Sequence, residues 1–171
     1  MTDIEQRIRL FFEIIVFGWM QNDVTAALQE RAYLLAALGF VSYTETLGGL
    51  VTGKLGVRHE SAKNFRAFLP YLERDYAALR AQGVDLYDWA RCGLVHEYFP
   101  KRGAAVVDIP ERAPGTFSGG GRNVFNVPVY KEDFFLGARR YYRDLLEGKA
   151  DLLVKFEEAR SRAWPEAEGG T

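Results

Sequence analysis

The sequence predicts a mainly α-helical domain, a helical bundle carrying a small β-hairpin insertion near residues 104–130. Apolar residues recur at helical spacing through most of the chain. Short β-branched runs interrupt that pattern once, in "AAVVDI" and "NVFNVPVY". Glycine, proline and capping residues separate the segments. At 171 residues, 48% hydrophobic and 26% charged, the chain can bury one core without a disulfide or a structural metal. Residues 1–163 are expected to form a single domain, and 164–171 a frayed tail.

The elements follow in order. "TDIE" at 2–5 has capping-box spacing, so the first helix starts there. Ile4, Ile8, Phe11, Ile15 and Trp19 recur at helical spacing, and Phe12, Ile14 and Val16 make its second half apolar nearly all round, which predicts a central position. "QND" at 21–23 predicts a break and a new cap. A long apolar helix over 24–47 then ends in "GGLVTGKLG", giving an antiparallel pair. Ser61 caps a third helical segment over 62–83, which Pro70 kinks or restarts and Gly83 ends. Asp85 caps a short helix, "LYDWARCGLVHEYF", closed by Pro100 and Gly103. The two strand-like runs then pair as a hairpin around the Pro/Gly/Ser-rich loop "PERAPGTFSGGGR", and two further helices cover 131–148 and 150–164.

Composition excludes several classes. A net charge of -1 gives no global positive field for nucleic acid or membrane, so such binding requires a local patch. One cysteine, Cys92, excludes an internal disulfide framework and a four-cysteine zinc site, and suits a reducing cytoplasm. The run "LFFEIIVFGWM" is too short to span a bilayer, and Asp3 and Glu5 occupy what would be the basic region of a signal peptide, so no membrane association is expected.

"GGLVTGKL" approaches a phosphate-binding loop through Gly48, Gly53 and Lys54. Leu55 stands where Ser or Thr must hold magnesium, and a helical pattern rather than a strand precedes it; a helix terminus or a close helix crossing fits better. His59 and His96 are remote from each other and no cysteine or aspartate cluster accompanies them, so no metal is expected. Cys92 and His96 lie four residues apart on one helical face, which permits a thiol nucleophile, although a lone helical cysteine is more often an apolar filler.

Arg91 shares an apolar arc with Tyr87, Ala90, Leu94, Val95 and Tyr98, while His96 falls about 140° around an ideal α-helix from it. A charge on that arc needs a partner, and Glu13, Glu30 and Glu45 on the buried-looking helices are candidates. Two readings stay open. Arg91 belongs to a buried ion pair with His96 an incidental surface residue, or a groove gathers both.

The pattern of an arginine, four residues and a histidine on a helix of an all-helical core, here Arg91 to His96, resembles the signature of the HEPN superfamily. "RCGLVHEYFPK" is similar to the corresponding stretch in uncharacterised bacterial members. The resemblance covers most of the chain, excluding the hairpin and tail. It implies a metal-independent endoribonuclease acting on single-stranded RNA as a homodimer, without a cofactor, the motif pairs meeting at the subunit interface. His96 would act as general acid or base and Arg91 would hold the scissile phosphate, with the ribose 2′-hydroxyl as nucleophile. Cys92 and Glu97 are the auxiliary residues. Active members often carry a polar residue where this chain has Cys92. An antitoxin or a nucleotidyltransferase is the further partner to consider.

Lys101, Arg102, Arg139, Arg140 and Arg143 are the candidate RNA-binding rim, with Tyr141 or Tyr142 stacking on bases; the bland alternative is a solvated helix face. Two other functions remain: a non-catalytic HEPN-like binding or assembly module, and a small-molecule binder with an aromatic pocket around Trp19, Tyr43 and Trp89.

Overall fold

The computed structural model describes residues 2–72, 76–101, 105–107, 116–119 and 122–164. It is mainly helical with one small sheet. Arg102, most of the Pro/Gly/Ser-rich loop and residues 165–171 of the expected tail lie outside the described residues.

Helix α1 (Asp3–Leu10) begins with the expected capping box: Thr2 Oγ1 accepts from the Glu5 amide and Glu5 accepts from the Thr2 amide. The chain then runs through a π-helical stretch (Phe11–Met20) directly into α2 (Gln21–Gln29). The expected break at "QND" does not occur. Asn22 and Asp23 remain helical on the exposed side, where the Asp23 carboxylate accepts from the Tyr43 hydroxyl. The turn comes instead at Arg31, which adopts a left-handed φ of 56°. The Arg31 amide reaches Leu28 and the Ala32 amide reaches Ala27, a Schellman-type ending.

The π stretch explains which face is buried. Ile8, Phe12, Val16, Met20 and Val24, spaced at every fourth residue, are all buried, whereas Trp19 of the expected stripe is 63% exposed. On an α-helix a strict four-residue stripe drifts about 40° per step. Widened i→i+5 turns take up that drift and keep the stripe facing inward.

Helix α3 (Tyr33–Thr52) is the core helix. It is long and apolar enough to cross a membrane by length and composition, and half of its most apolar window is buried inside the fold. Phe40, Val41, Leu47 and Leu50 are fully enclosed. The first part of the glycine-rich stretch, Gly48 to Thr52, lies inside this helix, where α4 (Ser61–Phe68) crosses it: a Cβ on Gly48 would lie 1.7 Å from the Asn64 carbonyl oxygen. Gly48 therefore serves a close helix crossing, and Gly53 ends α3 in the left-handed region at φ 74°. Asn64 ties the end of α3 down, accepting from Thr52 at 2.6 Å and donating to the Lys54 carbonyl. The expected helical segment over 62–83 is shorter: α4 includes Ser61 as its first residue, without a side-chain cap, and ends at Phe68, passing at Pro70 into a short 3-10 turn (Leu69–Tyr71); a second 3-10 turn (Ala78–Gln82) ends at Gly83.

The sheet departs from the expected hairpin. Strand β1 (Ala105–Val107) pairs with β3 (Arg122–Asn126) in parallel, with Val106 opposite Phe125. The antiparallel partner of β3 is β2 (Thr116–Gly119), which falls inside the expected loop. The order is β1-β3-β2. The β3 run also ends early, because Val127-Pro-Val-Tyr130 opens α6 (Val127–Leu146) with proline in the first turn, where its missing amide costs nothing. After Gly148, α7 (Ala150–Ala163) packs back on α3.

Candidate functional site

The segment carrying Arg91 and His96 is held at both ends. Asp85 caps it as expected, its Oδ1 accepting from the Tyr87 amide at 3.2 Å, while Oδ2 takes Arg66 at 2.7 Å. Residues Tyr87–Cys92 then form a π turn, followed by the one-turn helix α5 (Gly93–Glu97). Tyr98 ends α5 at φ 63°, and the chain folds back over Gly93, whose absent Cβ would lie 2.6 Å from the Phe99 carbonyl oxygen. The Lys101 amide closes this return on the Trp89 carbonyl at 2.9 Å.

Arg91 donates from Nε to Glu45 Oε2 on α3 at 2.6 Å, both side chains being 17% exposed. Glu45 is thus the partner among the three carboxylates the sequence offered. The Arg91 guanidinium also lies over the Tyr87 ring, 5.8 Å from its centroid, and Arg66 lies over the same ring at 5.4 Å. Burial raises the Tyr87 hydroxyl pKa, and its hydrogen bond with Cys92 adds to the rise against the opposing pull of Arg91.

His96 Nε2 stands 3.4 Å from Arg91 Nη1. The separation expected of an ideal α-helix does not hold here, for a physical reason. The π turn inserts an extra residue into the turn that carries Arg91, changing its angular position relative to α5. The long arginine side chain covers the remaining distance. One atom of the guanidinium therefore anchors on Glu45 while another faces an exposed imidazole.

The other candidates make contacts of their own. Cys92 is half-buried against Tyr87, and Glu97 is exposed and pairs with Lys101 at 3.6 Å. Lys101 also approaches Asp88 at 3.8 Å, so two carboxylates share its charge. On α6, Arg139 lies over the Phe17 ring at 4.8 Å, Arg140 donates to the carbonyls of Tyr71 and Leu72, and Arg143 pairs with Glu147. The stacking role given to the neighbouring tyrosines is corrected: Tyr141 is fully buried and Tyr142 is already stacked on Phe12, with centroids 4.7 Å apart.

The aromatic pocket around Trp19, Tyr43 and Trp89 does not form, since Trp89 is 1% exposed in the core beside Phe125 while Trp19 faces solvent. Tyr43 instead lines an apolar groove between α2 and α3 that includes neither tryptophan. Among the described residues no cluster of His, Cys, Asp and Glu could hold a metal ion.

Tyr87 is the site residue that spacing undervalued. It lies four residues before Arg91 on the expected arc, yet reads there as apolar packing rather than as a ring between two guanidiniums. Compared with known proteins, the chain matches no family model, no curated protein and no solved structure.

Proposed function

We propose that this protein is a metal-independent endoribonuclease of HEPN-like type, cutting single-stranded RNA in a groove formed by a homodimer, with Arg91 and His96 as its catalytic pair. The observation that carries this reading is the 3.4 Å approach of Arg91 Nη1 to His96 Nε2 at a partly open surface. Imidazole suits proton transfer near neutral pH, and a guanidinium suits the equatorial oxygens of a phosphate.

Glu45 contributes by fixing the arginine. Its bond to Nε leaves the Nη groups directed at the site, so less side-chain freedom is lost when phosphate binds. In the proposed reaction one His96 takes the proton of the ribose 2′-hydroxyl, whose oxygen attacks the adjacent phosphorus. The bond from phosphorus to the 5′-oxygen breaks, and the His96 of the second protomer protonates that oxygen. The products are a 2′,3′-cyclic phosphate and a 5′-hydroxyl end. Arg91 balances the charge that develops on phosphorus oxygens.

The test is incubation of wild type and His96→Ala with single-stranded RNA in EDTA, followed by analysis of the ends. Cyclic phosphate from wild type alone supports the reading; equal cleavage by both proteins sinks it. A second reading rests on the same ion pair: at 2.6 Å and 17% exposure, Arg91 and Glu45 suit a purely architectural link in a non-catalytic assembly module. That reading expects Arg91 substitutions to lower stability while neither protein cuts RNA.

A further inference from the structure

The structure has a cleft of about 360 Å³ lined by Arg31, Tyr33, Leu35, Tyr98 and Val106, between the start of α3 and the chain leaving α5. Its size lies within the usual range of small-ligand pockets. Tyr98 stands two residues beyond His96, is 54% exposed, and meets the exposed Phe99 ring edge-on at 5.6 Å. Arg31 is exposed and makes no ion pair among the described residues, in contrast to Arg91 and Lys101. Leu35, also largely exposed, adds an apolar wall.

We infer that this cleft is a nucleobase subsite, in which one base of the RNA strand stacks on Tyr98 while Arg31 holds a phosphate next to it. The inference rests on the RNA reading of Arg91 and His96 and adds to it where a flanking nucleotide sits. An exposed ring with a free guanidinium across a cleft is the combination that binds single-stranded nucleic acid with little sequence readout. Tyr98 follows His96 by two residues, so the subsite adjoins the segment that carries the proposed catalytic pair.

Arg31 and Tyr98 both hold left-handed φ values, 56° and 63°, which glycine and asparagine adopt more readily. Arg31→Gly and Tyr98→Asn therefore remove the binding groups without straining the backbone, and both variants should melt no lower than wild type. The full chain is titrated into a fluorescent 2′-O-methyl oligoribonucleotide, which lacks the nucleophile and so reads binding apart from cleavage. Tyr98→Asn is expected to raise Kd by about 5- to 150-fold, the range of one lost base stack. Arg31→Gly should raise Kd and reduce its salt dependence. Trp19→Ala, an exposed aromatic away from the cleft, should bind as wild type does. No binding by wild type, or Kd values within twofold of it for both cleft variants, overturns the subsite. So does a Tyr98→Asn protein that binds normally but changes oligomeric mass, which would make this face a protein contact. Cleavage of unmodified RNA by wild type is scored separately, so failure of the subsite and failure of the nuclease reading are told apart.

Discussion

Arg91 and Glu45 stand 46 residues apart in sequence and meet at 2.6 Å between Nε and Oε2, joining the segment that carries His96 to the core helix α3. Removing one partner leaves the other charge largely enclosed without compensation. Glu45→Gln and Arg91→Met should each lower unfolding stability by about 1–3 kcal/mol, below the cost for a fully buried pair because both groups keep some solvent contact. Chemical denaturation of the two single variants and the double variant measures the coupling. A double variant whose loss equals the sum of the single losses would show that the two groups do not interact.

Gly93 lets the chain return over the motif segment. A methyl group there would meet the Phe99 carbonyl oxygen at 2.6 Å and the Lys101 amide nitrogen at 2.7 Å, both backbone atoms. Gly93→Ala is therefore expected to cost about 1–3 kcal/mol through overpacking. Under the proposed function cleavage should fall with it, because the return packs over Gly93, three residues before His96. A Gly93→Ala protein as stable as wild type would show that residues 99–101 shift freely.

Helix existence was legible because the apolar pattern and caps agree: Thr2, Asp85, Gly53 and Gly83 act at or near the expected ends. The break after the first helix was not, since Asn22 and Asp23 carry turn chemistry that the buried four-residue stripe from Ile8 to Val24 overrides. The strand pairing also escaped, because β-branched runs announce strands without saying which pair, and β2 lay in a stretch read as loop. The site was half legible. Glu45 could be named as a partner from the need to compensate Arg91, but the approach of His96 combines the reach of the arginine side chain with a π turn, which a 3.6-residue period has no means of revealing.

His59 differs from His96 in what its backbone demands. It is exposed with φ 66°, a left-handed value that costs a histidine more than a glycine or asparagine. His59→Gly should raise the melting temperature or leave it unchanged, and under the proposed function should leave RNA cleavage intact, whereas His96→Ala is expected to abolish it. Loss of cleavage in His59→Gly would point to a role for the wrong histidine.

Two buried tyrosines allow a direct contrast. The Tyr130 hydroxyl is hydrogen-bonded to Thr44 Oγ1 at 2.9 Å, while the Tyr141 hydroxyl is buried without a hydrogen-bond partner among the described residues. Tyr130→Phe strands the Thr44 hydroxyl and should cost about 1–3 kcal/mol. Tyr141→Phe removes an unsatisfied polar atom and should be neutral or stabilising. Urea denaturation of both variants decides; equal losses would mean that the Tyr141 hydroxyl is satisfied in solution.

Alkaline pH probes the same aromatic core. Burial, aided by the Asp144 carboxylate, pushes the Tyr71 hydroxyl up to about 12, and burial also raises Tyr130 and Tyr141. In the unfolded chain a tyrosine titrates near 10. Between these values the folded protein keeps protons that the unfolded chain releases, so unfolding is increasingly favoured as pH rises. Stability from these groups is full below about pH 10 and declines as pH climbs through 12 and beyond. Urea midpoints measured across that window should fall steadily, and Tyr71→Phe should show a shallower fall. An unchanged slope in Tyr71→Phe would mean that Tyr71 titrates in the folded protein as it does in the unfolded chain.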